Sequence, residues 1–251
     1  MRKIYIVPNL VTTANLYCGF YSIVASIHHE FVLGAWLILA AAVFDALDGR
    51  IARMAKATSA FGVQYDSMAD LISFGMAPSI LLYQWTLEPF GQIGWCAAFL
   101  YIACAALRLA RFNVNTGVQS KSFFQGLASP IAAGTIATFI IFNHALNWPR
   151  EGASISREIL SLIFTFGLAS LMVSNIRFPS FKEFNWRSRA SFGYLMIAVL
   201  AMILIAIRPE VTLFLVLASY ISCSLLWNVY SALFAQKKSP TLQSQENEKP
   251  S

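Results

Sequence analysis

Every aspartate in this chain falls within a 26-residue window: Asp45, Asp48, Asp66 and Asp70. The remaining acidic residues are all glutamates (Glu30, Glu88, Glu151, Glu158, Glu183, Glu210, Glu246 and Glu248), and the sequence assigns them to loops or the C-terminal tail. Asp45 and Asp48 are three residues apart, and Asp66 and Asp70 four apart, so on helices each pair shares one face. Two antiparallel helices joined by a short basic loop bring those faces together. Four carboxylates gathered near a bilayer need cations to stay ionised. Donors that are all carboxylate oxygens favour hard divalent ions: Mg²⁺, Mn²⁺ or Ca²⁺. Four negative charges suit two such ions, an arrangement able to grip both the attacking and the leaving oxygen of a phosphoryl transfer. Gly49, Ala52 and Gly62 are small enough for a bulky ligand to approach the backbone, and Arg53 offers a planar fork to a phosphate. The plainer alternative has the aspartates pairing with Arg50, Arg53 and Arg108 at a helix end. Four of them at helical spacing, with glycines interleaved, weigh against it.

The elements that position these residues follow from the composition. The 251 residues are 57% hydrophobic and only 12% charged, with a mean hydropathy of +0.61. A soluble domain carries about 25% charged residues, so a soluble globule is excluded. Charge-free stretches run over 4–29, 31–44, 71–87, 89–107, 122–149, 159–176, 190–207 and 211–236. The second reaches spanning length by running on to about Arg50, and the third by starting near Asp66. A crossing takes about 20 apolar residues, which predicts an all-α polytopic membrane protein of about eight transmembrane helices. Period-two alternation is absent, which argues against a β-barrel. With the N-terminus in the cytoplasm, eight spans place 15 of the 18 basic residues on the cytoplasmic side. That asymmetry supports a multi-pass membrane protein with an even number of spans and both termini inside. It also accounts for the +6 charge without nucleic acid. Residues 1–236 form a single integral-membrane domain, and 237–251 form a polar, disordered cytoplasmic tail. The four cysteines contain no C-x-x-C pair and read as small apolar residues. A cation transporter could also hold intramembrane carboxylates. It would place them mid-span in two related halves, and no second aspartate set or internal repeat is found here.

The pattern Asp45-x-x-Asp48-Gly49-x-x-Ala52-Arg53, eight residues, then Gly62-x-x-x-Asp66-x-x-x-Asp70 matches the signature of the CDP-alcohol phosphatidyltransferases without a departure. The chain therefore resembles that family. The resemblance implies a six-helix core with a dinuclear metal site, Mg²⁺ or Mn²⁺, open to the cytoplasmic leaflet. By that analogy Asp45, Asp48, Asp66 and Asp70 hold the metal pair and Asp70 serves as general base. Gly49, Ala52, Arg53 and Gly62 would line the pocket for CDP-diacylglycerol, with Asn9 and Thr12 near the nucleotide. Further blocks, PNLVTTANLYCGF (8–20), DSMADLISFGMAP (66–78), ALRLARFNV (106–114), FQGLASP (124–130) and SNIRFPSFK (174–182), are similar to bacterial members that use L-serine as acceptor. Relatives that use glycerol 3-phosphate, inositol phosphate or choline fit these blocks less well. A serine carboxylate calls for a cationic fork, for which Arg108, Arg111 and Asn113 are the candidates. The family likeness also suggests a homodimer.

Overall fold

Lipid gives the backbone no hydrogen-bonding partner, so long apolar runs satisfy their peptide groups as helices. The computed structural model describes residues 6–54, 59–115, 123–146, 154–179, 196 and 208–236, and these are almost wholly helical. The helices α1 (Ile6–Ile27) and α2 (Phe31–Met54) form a tight hairpin. Its turn is closed by His29 in the left-handed region (φ 61°) and by the Glu30 N–H donating to the Ala25 carbonyl at 2.9 Å, a helix-terminating arrangement. The next helix starts earlier than expected, at Ala60 rather than near Asp66. It runs unbroken through α3 (Ala60–Asp70), a π-helical stretch (Leu71–Met76), α4 (Ala77–Leu82) and a second π-helical stretch (Tyr83–Leu87). There follow α5 (Gln92–Asn115), α6 (Ser129–Ala145), α7 (Ser154–Val173) and α8 (Pro209–Gln236).

Four segments among the described residues are long and apolar enough to cross a membrane: Val7–Ile27, Phe31–Ile51, Gln92–Val114 and Pro209–Ser231. Large apolar side chains such as Leu10, Phe20, Phe99 and Trp227 are more than half exposed on them, as lipid-facing surfaces are. The expected span over 190–207 (apart from Met196) and the tail 237–251 lie outside the described residues.

The helices pack as α1 on α2, α2 on α6, α6 on α8 and α5 on α7. Their shared interior is rich in alanine: Ala35, Ala41, Ala77, Ala105, Ala132, Ala133, Ala137 and Ala169 are fully buried. Small residues let helix backbones approach closely where lipid supplies no hydrophobic drive. Buried hydroxyls stitch the contacts. The Ser22 hydroxyl donates to the Gly34 carbonyl at 2.8 Å, and that of Ser79 to the Ala98 carbonyl at 2.7 Å.

The run expected to span from 122 to 149 is helical only from Ser129. Ahead of that helix, β1 (Phe123–Gln125) pairs antiparallel with β2 (Arg177–Pro179), Phe124 opposite Phe178. Gly126 follows at φ 77°, its Cα against the Met172 and Ser174 carbonyls, where any side chain would collide. Arg157 lies in the first turns of α7, buried, with its guanidinium over the Trp85 ring at 5.5 Å.

Candidate active site

The α2 helix delivers Asp45 and Asp48, and α3 delivers Asp66. Each can offer one carboxylate oxygen such that the three atoms lie within 4.8 Å of one another. Asp48 is buried, and Asp45 and Asp66 are half-buried. At an effective dielectric near 20, each ionised pair at this separation repels by about 3 kcal/mol. One oxygen, Asp66 Oδ1, is buried with no hydrogen-bond partner among the described residues. An orphaned acceptor among converging carboxylates is what a cation would satisfy. Across an octahedral Mg²⁺ two oxygens stand about 4.2 Å apart, and across Ca²⁺ about 5 Å, so the donor set fits a hard divalent ion. Asp70, one turn beyond Asp66, lies within electrostatic range of Asp45, Asp66 and Asp48.

Local chemistry fixes this convergence. Ser59 caps α3, accepting from the Gly62 N–H at 2.9 Å. A side chain at Gly62 would begin 3.6 Å from Asn9 Oδ1, so α3 starts directly against α1. From α1 the Thr12 hydroxyl donates to Asp48 Oδ2 at 2.9 Å, and Asn15 Nδ2 donates to Asp70 Oδ1 at 3.1 Å. Asn9, Thr12 and Asn15 follow one another at helical spacing and form one polar stripe, Asn9 beside Gly62 and the other two on aspartates. Immediately after Asp70 the π-helical stretch releases carbonyls from their usual partners. Tyr101 caps one, its hydroxyl donating to the Phe74 carbonyl at 3.3 Å, while the Ser73 hydroxyl donates to the Asn15 carbonyl at 3.0 Å. A Cβ on Gly19 would sit 2.7 Å from Ser73 Cα; only glycine permits this approach of α1 to the π stretch.

The remaining expected residues divide into three groups. Gly49 is exposed, with no atom of the described residues within 4 Å of where a Cβ would stand. The side chains of Ala52 and Arg53 lie outside the described residues. Arg108 Nη1 donates to Ser129 Oγ at 3.1 Å, and Arg108 lies within electrostatic range of Asp70. Arg111 is turned toward Asn175 (3.4 Å), and Asn113 Nδ2 donates to Ser67 Oγ at 2.9 Å, one residue from Asp66. Arg108 is thus placed within reach of Asp70's charge, and Asn113 beside Asp66 through Ser67.

The profile of the family described as CDP-alcohol phosphatidyltransferase matches residues 5–172, a span containing all four aspartates, the α1 stripe and Arg108. The chain belongs to that family. A Helicobacter pylori protein named CDP-diacylglycerol–serine O-phosphatidyltransferase is 36% identical over 239 residues, 95% of each chain. One of the same name from Bacillus subtilis is 35% identical over 178 residues, 70% of this chain and 92% of that one. An archaetidylserine synthase of Methanothermobacter thermautotrophicus is 34% identical over 174 residues, 68% of this chain and 69% of its own.

Sequence reasoning missed Asn15, Ser73 and Ser129. Asn15 had a visible signal, a second amide on an apolar helix three residues from Thr12. Ser73 and Ser129 had none, because their roles come from which helices meet.

Proposed function

We propose that the chain transfers the phosphatidyl group of CDP-diacylglycerol to the hydroxyl of L-serine, giving phosphatidylserine and CMP. The observation that carries this is the convergence of Asp45, Asp48 and Asp66 in a family member similar to serine-using enzymes over nearly its whole length. Asp45, Asp48, Asp66 and Asp70 would hold two divalent ions, Mg²⁺ or Mn²⁺. When bound, such ions neutralise the diphosphate and the charge gathering on the departing CMP oxygen.

The chain's own residues supply the rest. Gly49, Ala52 and Gly62 leave the backbone accessible to CDP, Arg53 reaches the diphosphate, and Asn9 and Thr12 flank the nucleotide side. The serine hydroxyl is far too weakly acidic to react unaided at neutral pH and needs a base within hydrogen-bond reach. Asp70, held by Asn15, takes that proton while the serine oxygen bonds to phosphorus and the phosphorus–CMP bond breaks. Arg108 receives the serine carboxylate, with Arg111 and Asn113 at the mouth. The lipid substrate explains why the site adjoins the bilayer: acyl chains lie between helices while cytidine faces the cytoplasm. In this reading residues 1–236 cross the bacterial inner membrane eight times, both termini are cytoplasmic, 237–251 is a polar tail, and the protein is a homodimer.

An acceptor competition tests the assignment. Purified protein with CDP-diacylglycerol and Mg²⁺ or Mn²⁺ should release CMP when given L-serine. Equal release with glycerol 3-phosphate, and none with serine, would overturn the choice of acceptor while leaving the phosphatidyl transfer intact.

A further inference from the structure

The Asn15 side chain is fully buried and its two ends are unequally served. Nδ2 donates to Asp70 Oδ1 at 3.1 Å, while Oδ1 is buried with no partner among the described residues. With Asp70 as the base its carboxylate accepts, and the NH₂ end of the amide is the end that faces it. The carbonyl end is therefore left as an acceptor awaiting a donor. Its position is held firmly. The Asn15 main-chain carbonyl receives the Ser73 hydroxyl at 3.0 Å, and Gly19, one helical turn further on, lets Ser73 come that close. Orphaned buried acceptors are rare because each forfeits a hydrogen bond it had in water; one beside a candidate base is most economically explained by a ligand that donates to it.

We propose that Asn15 selects the acceptor, its Oδ1 receiving the ammonium group of an amino alcohol or amino acid while its Nδ2 keeps Asp70 facing that acceptor's hydroxyl. The inference rests on the acceptor reading above. L-serine carries two donor groups, and the hydroxyl is committed to Asp70, which leaves the ammonium for the neighbouring orphan. Arg108, within electrostatic range of Asp70 and with its Nε also buried and unpartnered, then takes the carboxylate. Three groups of one small zwitterion meet three groups of the chain. An acceptor with no donor besides its reacting hydroxyl would leave Oδ1 unsatisfied, and such a deficit is a strong basis for rejection.

The experiment uses full-length protein in CDP-diacylglycerol mixed micelles, with Asn15→Leu and the smaller Asn15→Ala. The probe lacking an ammonium is 3-hydroxypropionate, which keeps the hydroxyl and the carboxylate of serine. Loss of a charge-assisted hydrogen bond predicts a rise in the serine KM of about 10–100-fold. At saturating metal the KM for CDP-diacylglycerol and the inhibition constant of 3-hydroxypropionate should stay within about twofold of wild type. A drop in kcat alone, with the serine KM and its ratio to the 3-hydroxypropionate constant unchanged, would overturn the ammonium contact. Should either variant have no turnover, the melting shift is read instead. Loss of the serine-induced shift with the CDP-induced shift retained supports the proposal, and retention of both, or loss of both, contradicts it. Wild-type protein that ignores serine altogether would refute the acceptor reading itself, a result separable from any effect of Asn15.

Discussion

Replacing Thr12 by Val removes one hydroxyl and keeps the volume and branching of the side chain. That hydroxyl donates to Asp48 Oδ2 at 2.9 Å, in a place where both residues are buried. A hydrogen bond to a charged group contributes about 1.5–3 kcal/mol, and loss of a group that orients a metal-binding side chain typically costs about 10–100-fold in metal affinity or activity. The two scales agree, since 1.5–3 kcal/mol corresponds to about 10–150-fold at 25 °C. The Mg²⁺ or Mn²⁺ concentration for half-maximal CMP release should therefore rise by one to two orders of magnitude, with turnover partly restored by excess metal. Thr13→Val is the matched control. Its hydroxyl shares a 2.9 Å hydrogen bond with the Tyr65 hydroxyl in an exposed position, so its metal curve should move less than about twofold, as exposed neutral contacts do. A Thr12→Val curve that superimposes on wild type, or a Thr13→Val curve shifted as far, would refute the claim that Thr12 orients a metal-holding carboxylate.

Other outcomes follow from the same geometry. In Gly19→Ala the new Cβ meets Ser73 Cα at 2.7 Å, and such overpacking against backbone costs about 1–3 kcal/mol. The micellar melting temperature should fall and CMP release with it, whereas Gly167→Ala in α7, where a Cβ meets nothing within 4 Å, should leave both unchanged. Arg108→Lys keeps the charge but loses the fork, including the bond to Ser129. It should raise the serine KM about tenfold or more while leaving that for CDP-diacylglycerol near wild type; equal changes in both would remove Arg108 from the acceptor pocket.

The site was legible in sequence to the extent that it depends on local spacing. Asp45 and Asp48 share a face because they are three apart, and the structure brings Asp66 to them by packing α3 on α1, the other arm of the α1–α2 hairpin. What the sequence left hidden depends on contacts between distant segments. Nothing in LISFGM (71–76) marks a π-helical stretch; it arises where Tyr101 and Ser73 find partners across helix interfaces. The ribbon of β1 and β2 joins residues more than 50 apart, so the charge-free run from 122 read as helix throughout. The burial of Arg157 is equally hidden in the sequence, because Trp85, the ring it covers, lies on another helix. Asn15 stood in plain view as a break in an apolar run, but its meaning required knowing that Asp70 lies opposite.

The central claim is that converging aspartates hold the divalent ions on which transfer depends, and direct metal binding tests it most closely. Purified wild-type protein titrated with Mn²⁺ and followed by electron paramagnetic resonance should show saturable binding strengthened by CDP. In Asp48→Asn and Asp66→Asn that binding and CMP release should disappear together, while circular dichroism still reports an intact helical fold. Undiminished Mn²⁺ binding in both variants, or full CMP release without it, would contradict the account.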